Sequence, residues 1–208
     1  MTDLDQFRAE TRAWLEANCP PEMREPIRSE KDSVWGGRDQ SAMTPAQKQW
    51  MDAMGAKGWT VPDWPKEYGG GGLSAAETKI LREEMARLRC RNPLNSFGIS
   101  MLGPALLKYG TEEQKQKYLP GMQQFDLIGA FGSTEPEVGS GAAGGLTTTC
   151  KKVEGGWILN GQKKWIGNAT FADVIIIWAR DLDDNQVKGF IVEKGTEGFS
   201  VEKIKGKM

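Results

Sequence analysis

The sequence predicts an α+β protein: an all-α N-terminal domain over residues 1–125, then an antiparallel β domain over residues 126–208. Three observations carry this. Hydroxyl-capped helix starts and apolar stripes at helical spacing recur as far as Pro120. Beyond it the apolar runs become short and β-branched. Asn160-Gly161 then stands between two such runs, the pattern of a hairpin turn.

In the helical part, Thr2 or Asp3 caps a helix whose Leu4, Phe7, Trp14 and Leu15 fall near one face. Cys19-Pro20-Pro21 ends it, because proline has no amide to continue the ladder and restrains its predecessor. Residues 21–43 are polar and broken by Pro26 and Gly36-Gly37, so an irregular crossing is expected. Thr44-Pro45-Ala46-Gln47 restarts a helix with a hydroxyl cap, a first-position proline and a Gln that closes the capping box. Trp50, Met51 and Met54 supply its apolar face, and Gly58 a stop. Ser74-Ala75-Ala76-Glu77 opens the next helix, striped by Ile80, Leu81, Met85 and Leu88. Residues 97–109 predict a more apolar helix, buried around much of its circumference through Met101, Leu102, Ala105 and Leu106 and closed by Gly110. Thr111-Glu112-Glu113-Gln114 begins a short exposed helix expected to end before Pro120.

In the β part, residues 127–131 form a strand-like run and residues 146–149 a β-branched one. The hairpin joins 157–159 to 162–166 across Asn160-Gly161. Residues 173–179, with Val174, Ile175, Ile176 and Ile177, read as a buried strand. Residues 189–192 and 199–204 read as two more.

Composition excludes several chemistries. The chain has no histidine, which removes Ser-His-Asp and Cys-His catalysis, His-ligated zinc and a histidine base. A net charge of -1 offers no basic excess for nucleic acid or an anionic membrane. The longest apolar stretch, residues 174–179, is far short of a membrane span. The N-terminus carries acids and no apolar run, so no signal peptide is expected. Cys19, Cys90 and Cys150 are widely spaced, with no CxxC pair. They read as free thiols in a reducing compartment, the cytoplasm, with neither a metal site nor a disulfide framework.

The densest glycine run, Gly139-Ser140-Gly141-Ala142-Ala143-Gly144-Gly145, matches G-x-G-x-x-G literally. Strand-like residues follow it, whereas a dinucleotide-binding loop opens a helix within a strand-helix-strand unit, so that reading is rejected. What remains is a flexible turn, or a loop whose bare amides approach a ligand. The run sits in a larger frame. Phe131-Gly132-Ser133-Thr134-Glu135-Pro136 precedes Gly139 and Ser140, and Lys164-Trp165-Ile166-Gly167-Asn168 follows. Upstream stand Gly58-Trp59 and Trp64-Pro65-Lys66-Glu67-Tyr68-Gly69-Gly70-Gly71-Gly72. With its W-P-x-E-x-GG-x-G, TEP-x-x-GS and NG-x-K-x-WI-x-N segments in that order, nearly the whole chain resembles the acyl-CoA dehydrogenase and oxidase family of flavoproteins.

The resemblance implies FAD, with Phe131, Gly132, Ser133 and Thr134 supplying backbone and hydroxyl contacts to the flavin ring. Trp165 would cover one ring face, Ile166 and Gly167 would lie alongside, and Gly139 and Ser140 would line the loop. Ser140, Phe97 and Met101 would meet the acyl-CoA substrate, although Phe97 and Met101 suit an ordinary core equally. Trp59, Trp64 and Tyr68 would pack the helical domain. Glu135 and Glu137 are weak candidates for a base, since loop carboxylates more often solvate or cap. The family's α-proton-abstracting glutamate belongs to a C-terminal helical bundle, so no catalytic residue is assigned within these 208 residues. Two departures bear on chemistry: Gly141 replaces the usual Asp after Gly-Ser, and Gly167 replaces the usual Thr beside flavin N5. Electron-transfer flavoprotein or O2 is the implied acceptor, which leaves dehydrogenase and oxidase both open. A truncated, non-catalytic flavin-fold or partner-binding protein is a third possibility. A homo-oligomer is expected, and the peroxisome or mitochondrial matrix are alternative compartments.

Overall fold

The computed structural model describes residues 2–29, 32–38, 40–41, 43–93, 96–138 and 142–206, the side chains of residues 142 and 143 excepted. They form two compact units. One takes in Met1–Asn95 and Leu106–Leu127, the other Ser96–Ala105 and Ile128–Met208. The sequence divides near residue 125; in space, the short segment 96–105 also joins the sheet.

The helical unit begins with α1 (Asp3–Asn18), capped by the Thr2 hydroxyl through a complete capping box with Asp5. A short 3-10 turn, Pro21–Arg24, follows. Helix α2 (Pro45–Ala56) starts on the Thr44–Gln47 box and α3 (Ala75–Arg87) on the Ser74–Glu77 box, as their sequences predict. Leu15, Trp50, Met54, Trp59, Leu81 and Met85 make one core cluster. Trp14 meets Trp59 edge-on at 4.8 Å between centroids, and the Trp50 indole donates to the Arg91 carbonyl at 2.9 Å. Trp59, Trp64 and Tyr68 are buried as expected. Glycines that flank them are forced by close approach: a Cβ on Gly70 would strike the Trp64 carbonyl oxygen at 2.2 Å. Gly58 takes the left-handed backbone at φ 67.

Helix α4 (Gly103–Tyr109) leads to α5 (Glu112–Gln123), and α5 corrects an expectation: it runs through Pro120. The proline loses one ladder bond, but the last turn buries Leu119 and Met122 fully, at roughly 1.5–3 kcal/mol each. Gln123 adds a bond from its side-chain amide to the Gly55 carbonyl at 2.7 Å. Burial and capture outweigh the proline.

Glu84 is buried on α3, its side chain 2% exposed, among three arginines. Arg12 donates at 2.9 and 3.0 Å, Arg87 at 2.8 Å and Arg8 at 3.1 Å. The Arg12 hydrogen bond, then burial acting against it, then Arg87 and Arg8, leave the Glu84 carboxyl at about 2, against an ordinary 4.5. A carboxyl depressed on folding contributes stability above its unfolded value, and that stability is lost as pH falls toward the folded one. Acid titration from pH 4.5 to 2 is therefore expected to cost the wild type about 1–2 kcal/mol more than Glu84→Gln, after discounting for the solvent-screened arginines. Chemical unfolding across that range checks it; parallel pH profiles would count against it.

The second unit is built on a five-stranded sheet. Its strands are β1 (Gly129–Gly132), β2 (Thr149–Val153), β3 (Gly156–Asn160), β4 (Val174–Asp181) and β5 (Val187–Glu193), with the one-turn α6 (Ala142–Gly145) before β2. Strand β4 is central. Antiparallel β5 pairs with it from Val174 to Arg180. Its other edge is shared, β1 pairing in parallel with Val174 to Ile177 and β2 in parallel with Arg180 and Asp181. The sheet is thus mixed, correcting the antiparallel expectation, because β1 and β2 reach β4 through long loops that reverse direction off the sheet.

Three further expectations are corrected. The hairpin is β2 on β3 around Glu154-Gly155, with Val153 opposite Gly156, and not 157–159 on 162–166. Residues 162–166 cannot extend as a strand, because Lys163 and Ile166 are drawn inward and Trp165 turns left-handed at φ 64. Residues 199–204 form no strand; Phe199 instead closes a turn onto Thr196 and packs on the cluster of Ile128, Ala130, Ala172 and Ile175. Of the apolar helix over 97–109, residues Gly98–Leu102 are a π-helical turn, with Leu102 and Leu106 buried but Phe97 and Met101 exposed. That turn lies against β1 through a glycine pair, the position of a Cβ on Gly129 being 2.5 Å from the Gly98 Cα.

Candidate functional site

The site grows from the end of β1. The chain leaves the sheet at Ser133-Thr134 and turns at Glu135, whose amide donates to the Val138 carbonyl at 3.1 Å. The Glu135 side chain is fully buried and holds four donors. Thr147 gives its amide and its hydroxyl, both at 2.6 Å, Thr148 its amide at 2.9 Å, and Lys163 its ammonium at 2.8 Å. Lys163 also donates to the Ser133 carbonyl at 3.2 Å, and the Lys164 amide to the Thr134 carbonyl at 2.9 Å. Three segments distant in sequence, 133–135, 147–148 and 163–164, are tied at one point. Burial pushes the Glu135 carboxyl up. The Lys163 ammonium and the threonine donors outweigh it and hold the group well below the usual carboxylate range. Burial pulls the Lys163 ammonium down, with Glu135 opposing. Glu135 is therefore an ionised brace and is unsuited to be a base.

This brace aims residues 165–168. Trp165 is 57% exposed, with the Lys164 ammonium 5.3 Å from its ring centroid. Ile166 is half-buried, its side chain packing on the sheet cluster. Asn168 is left-handed at φ 66 and buried, and its side-chain amide nitrogen has no hydrogen-bond partner among the described residues. An orphaned buried donor is costly, and it fits a site that a polar ligand edge completes. Phe131 tilts against Trp178 at 5.8 Å, its ring engaged in packing. Gly132 is buried, and Ser133 and Thr134 are half-buried.

Phe97 joins this group from the π turn. A Cβ on Gly167 would lie 2.2 Å from Phe97 Cε2, so the ring fills the place of a side chain at 167. Met101, expected beside it, is exposed. Gly139 and Ser140, expected to line the loop, lie outside the described residues, as does Gly141. No group of three or more Cys, Asp or Glu able to hold a metal ion occurs among the described residues. No described helix is long and apolar enough to cross a membrane. Lys163, Thr147 and Thr148 carry no assigned role in the sequence; the only signal was the lysine inside NG-x-K-x-WI-x-N.

The TEP-x-x-GS and NG-x-K-x-WI-x-N segments thus meet at one braced point, Glu135 on Lys163. A sequence model of the acyl-CoA dehydrogenase N-terminal domain matches residues 1–126, and one of the middle domain matches residues 130–208. The chain belongs to the acyl-CoA dehydrogenase family. Acyl-CoA dehydrogenase IpdE1 of Mycobacterium tuberculosis is 34% identical over 180 residues, covering 86% of this chain and 45% of its own. Among solved members, a glutaryl-CoA dehydrogenase from Mycobacterium smegmatis in complex with FADH2 superposes with a TM-score of 0.63 at 28% identity, over all of this chain and 50% of that one. The ChsE4-ChsE5 complex from Mycobacterium tuberculosis gives 0.67 at 29% identity, over 96% of this chain and 49% of that one. The chain spans about half the length of the curated acyl-CoA dehydrogenase relatives it matches, 45% and 47% for the two IpdE1 proteins.

Proposed function

We propose that this chain forms the N-terminal and flavin-contacting part of an FAD-dependent acyl-CoA dehydrogenase. The observation that carries the reading is the Glu135–Lys163 brace, which gathers the 133–135 loop and the 163–168 segment around an exposed tryptophan and an orphaned amide. A flavin ring has an apolar end and a hydrogen-bonding end, and these two features match them. When bound, FAD would supply the hydride acceptor, N5, for a hydride leaving the substrate Cβ. Trp165 would cover a ring face, Asn168 and the backbone of residues 132–134 and 167 would bind polar edges, and Phe97 would border the acyl side. Gly139 and Ser140 retain their proposed loop contacts. No residue here is assigned the α-proton. The solved relatives, a flavin complex and a two-protein complex, support a flavin and an oligomeric assembly. Electron-transfer flavoprotein is the proposed acceptor.

A second reading, an oxidase, rests on Gly167, which offers N5 an amide but no hydroxyl. Reduced flavin that persists in air after substrate addition would sink it.

The test of flavin contact is Trp165→Ala in a full-length protein. Loss of the ring contact is expected to weaken FAD retention by about 1–3 kcal/mol. Flavin occupancy after exhaustive dialysis reads it, and unchanged occupancy counts against the assignment. Residues 1–208 alone are expected to turn over no acyl-CoA, since Glu135 is locked as a brace. Any substrate-dependent dye reduction by this chain would overturn that expectation and return Glu137 to consideration.

A further inference from the structure

We propose that Cys19 and Cys90 form a dithiol site in the helical unit that hydrogen peroxide oxidises to an intramolecular disulfide. Cys19 ends α1 and Cys90 follows α3, yet both pack on the same core cluster, Cys19 buried and Cys90 partly exposed. The Cys19 thiol donates to the Pro20 carbonyl at 3.8 Å, Cys90 packs against the cluster that holds it, and the two thiols interact with each other.

The backbone around them is tied from both sides. The Arg91 amide donates to the Met23 carbonyl at 2.9 Å, and the Arg91 side chain donates to the Glu25 and Pro26 carbonyls. Arg24 donates to the Cys19 carbonyl at 3.1 and 2.8 Å and to the Glu16 carbonyl at 2.8 Å, so its guanidinium is fixed beside the thiol. The pair is held together by structure on each flank, with a cation at hand.

Chemistry follows from that arrangement. The hydrogen bond from Cys90 lowers the Cys19 thiol, burial opposes, and Arg24 adds to the lowering; the same contact and burial raise Cys90. Cys19 is therefore the more readily ionised of the two, its thiol otherwise donating to the Pro20 carbonyl. Peroxide is small enough to enter past the partly exposed Cys90. The Cys19 thiolate attacks one peroxide oxygen, the O–O bond breaks, and the departing hydroxide takes a proton to leave as water. The Cys90 sulfur then attacks the sulfenic sulfur, its proton leaving with the displaced hydroxyl as a second water. Two thiols lose two electrons and two protons, and one peroxide is reduced to two waters. The product staples the end of α1 to the end of α3. Cys150 is an internal control: it is buried in the other unit, and burial, then Asp181, raise its thiol.

The experiment treats the native 208-residue chain with hydrogen peroxide, then denatures and alkylates it. Titratable thiols are expected to fall from three to one, with a mass loss of about 2 Da and a non-reduced peptide joining Cys19 to Cys90. Cys90→Ser is expected to lose the cross-link and instead gain about 16 Da on Cys19, trapped by dimedone. Cys150→Ser, which leaves the pair intact, is expected still to lose two thiols. Three thiols retained by the native chain, or a cross-link that includes Cys150, would overturn the proposal.

Discussion

Replacing Glu135 with Gln is expected to destabilise the β unit by roughly 3–5 kcal/mol, the cost of leaving a buried charge without its partner. The reasoning starts from Lys163. Its side chain is 7% exposed, and among the described residues its ammonium has the Glu135 carboxylate and the Ser133 carbonyl to replace water. Gln keeps the shape and one acceptor oxygen, but it brings an amide NH2 toward threonine donors that need acceptors. The loss is thus of charge and of donor–acceptor match together. Urea unfolding of the variant measures it as a lowered midpoint at constant slope. Lys163→Met beside Glu135→Gln is expected to cost less than the two single changes summed, because the second removes the charge that the first strands. A midpoint within about 0.5 kcal/mol of the parent, the range of an ordinary surface change, would show that Glu135 is not the brace described.

That brace also marks where the sequence stops being informative. Helix starts were legible because a capping box is local: Thr2, Thr44, Ser74 and Thr111 each need only the residue three places on, and all four caps form. The β part was harder, because pairing joins residues far apart. The pattern around Val174 finds its strand, but nothing local to Gly129 or Thr149 says that both run parallel to β4 and share one of its edges. The Asn160-Gly161 signal misled for the same reason. Turn chemistry permits a hairpin there, yet the buried Glu135 claims Lys163 and the core claims Ile166, and those demands outweigh a two-residue preference. Motif order pointed to the candidate site, while its wiring through Thr147, Thr148 and Lys163 is visible only in three dimensions.

Gly167→Thr follows from the same non-local logic and is expected to cost about 1–2 kcal/mol, the lower part of the overpacking range, because the ring in the way is itself 41% exposed. Backbone strain is not the reason, since Gly167 is absent from the left-handed glycines, unlike Gly161 nearby. The obstacle is Phe97, whose ring carbons lie 2.2 and 2.9 Å from where the Cβ would stand. The Phe97 backbone has little room to retreat, because the next residue, Gly98, is pressed onto Gly129. The ring must swing outward and lose its packing. Phe97→Ala in the same chain removes the obstacle, so the double variant is expected to recover most of the loss, a coupling readable in a double-mutant cycle of unfolding midpoints. In a flavin-loaded full-length protein, only the double variant could present a threonine hydroxyl in the vacated space. A new neutral hydrogen bond of about 0.5–1.5 kcal/mol would move the flavin potential by up to ~30 mV, since ~1.4 kcal/mol corresponds to that shift for two electrons. Additive single effects would show that Phe97 does not set which residue position 167 tolerates. A coupled stability change with an unmoved potential would keep the packing relation and place residue 167 away from the flavin's reactive nitrogen.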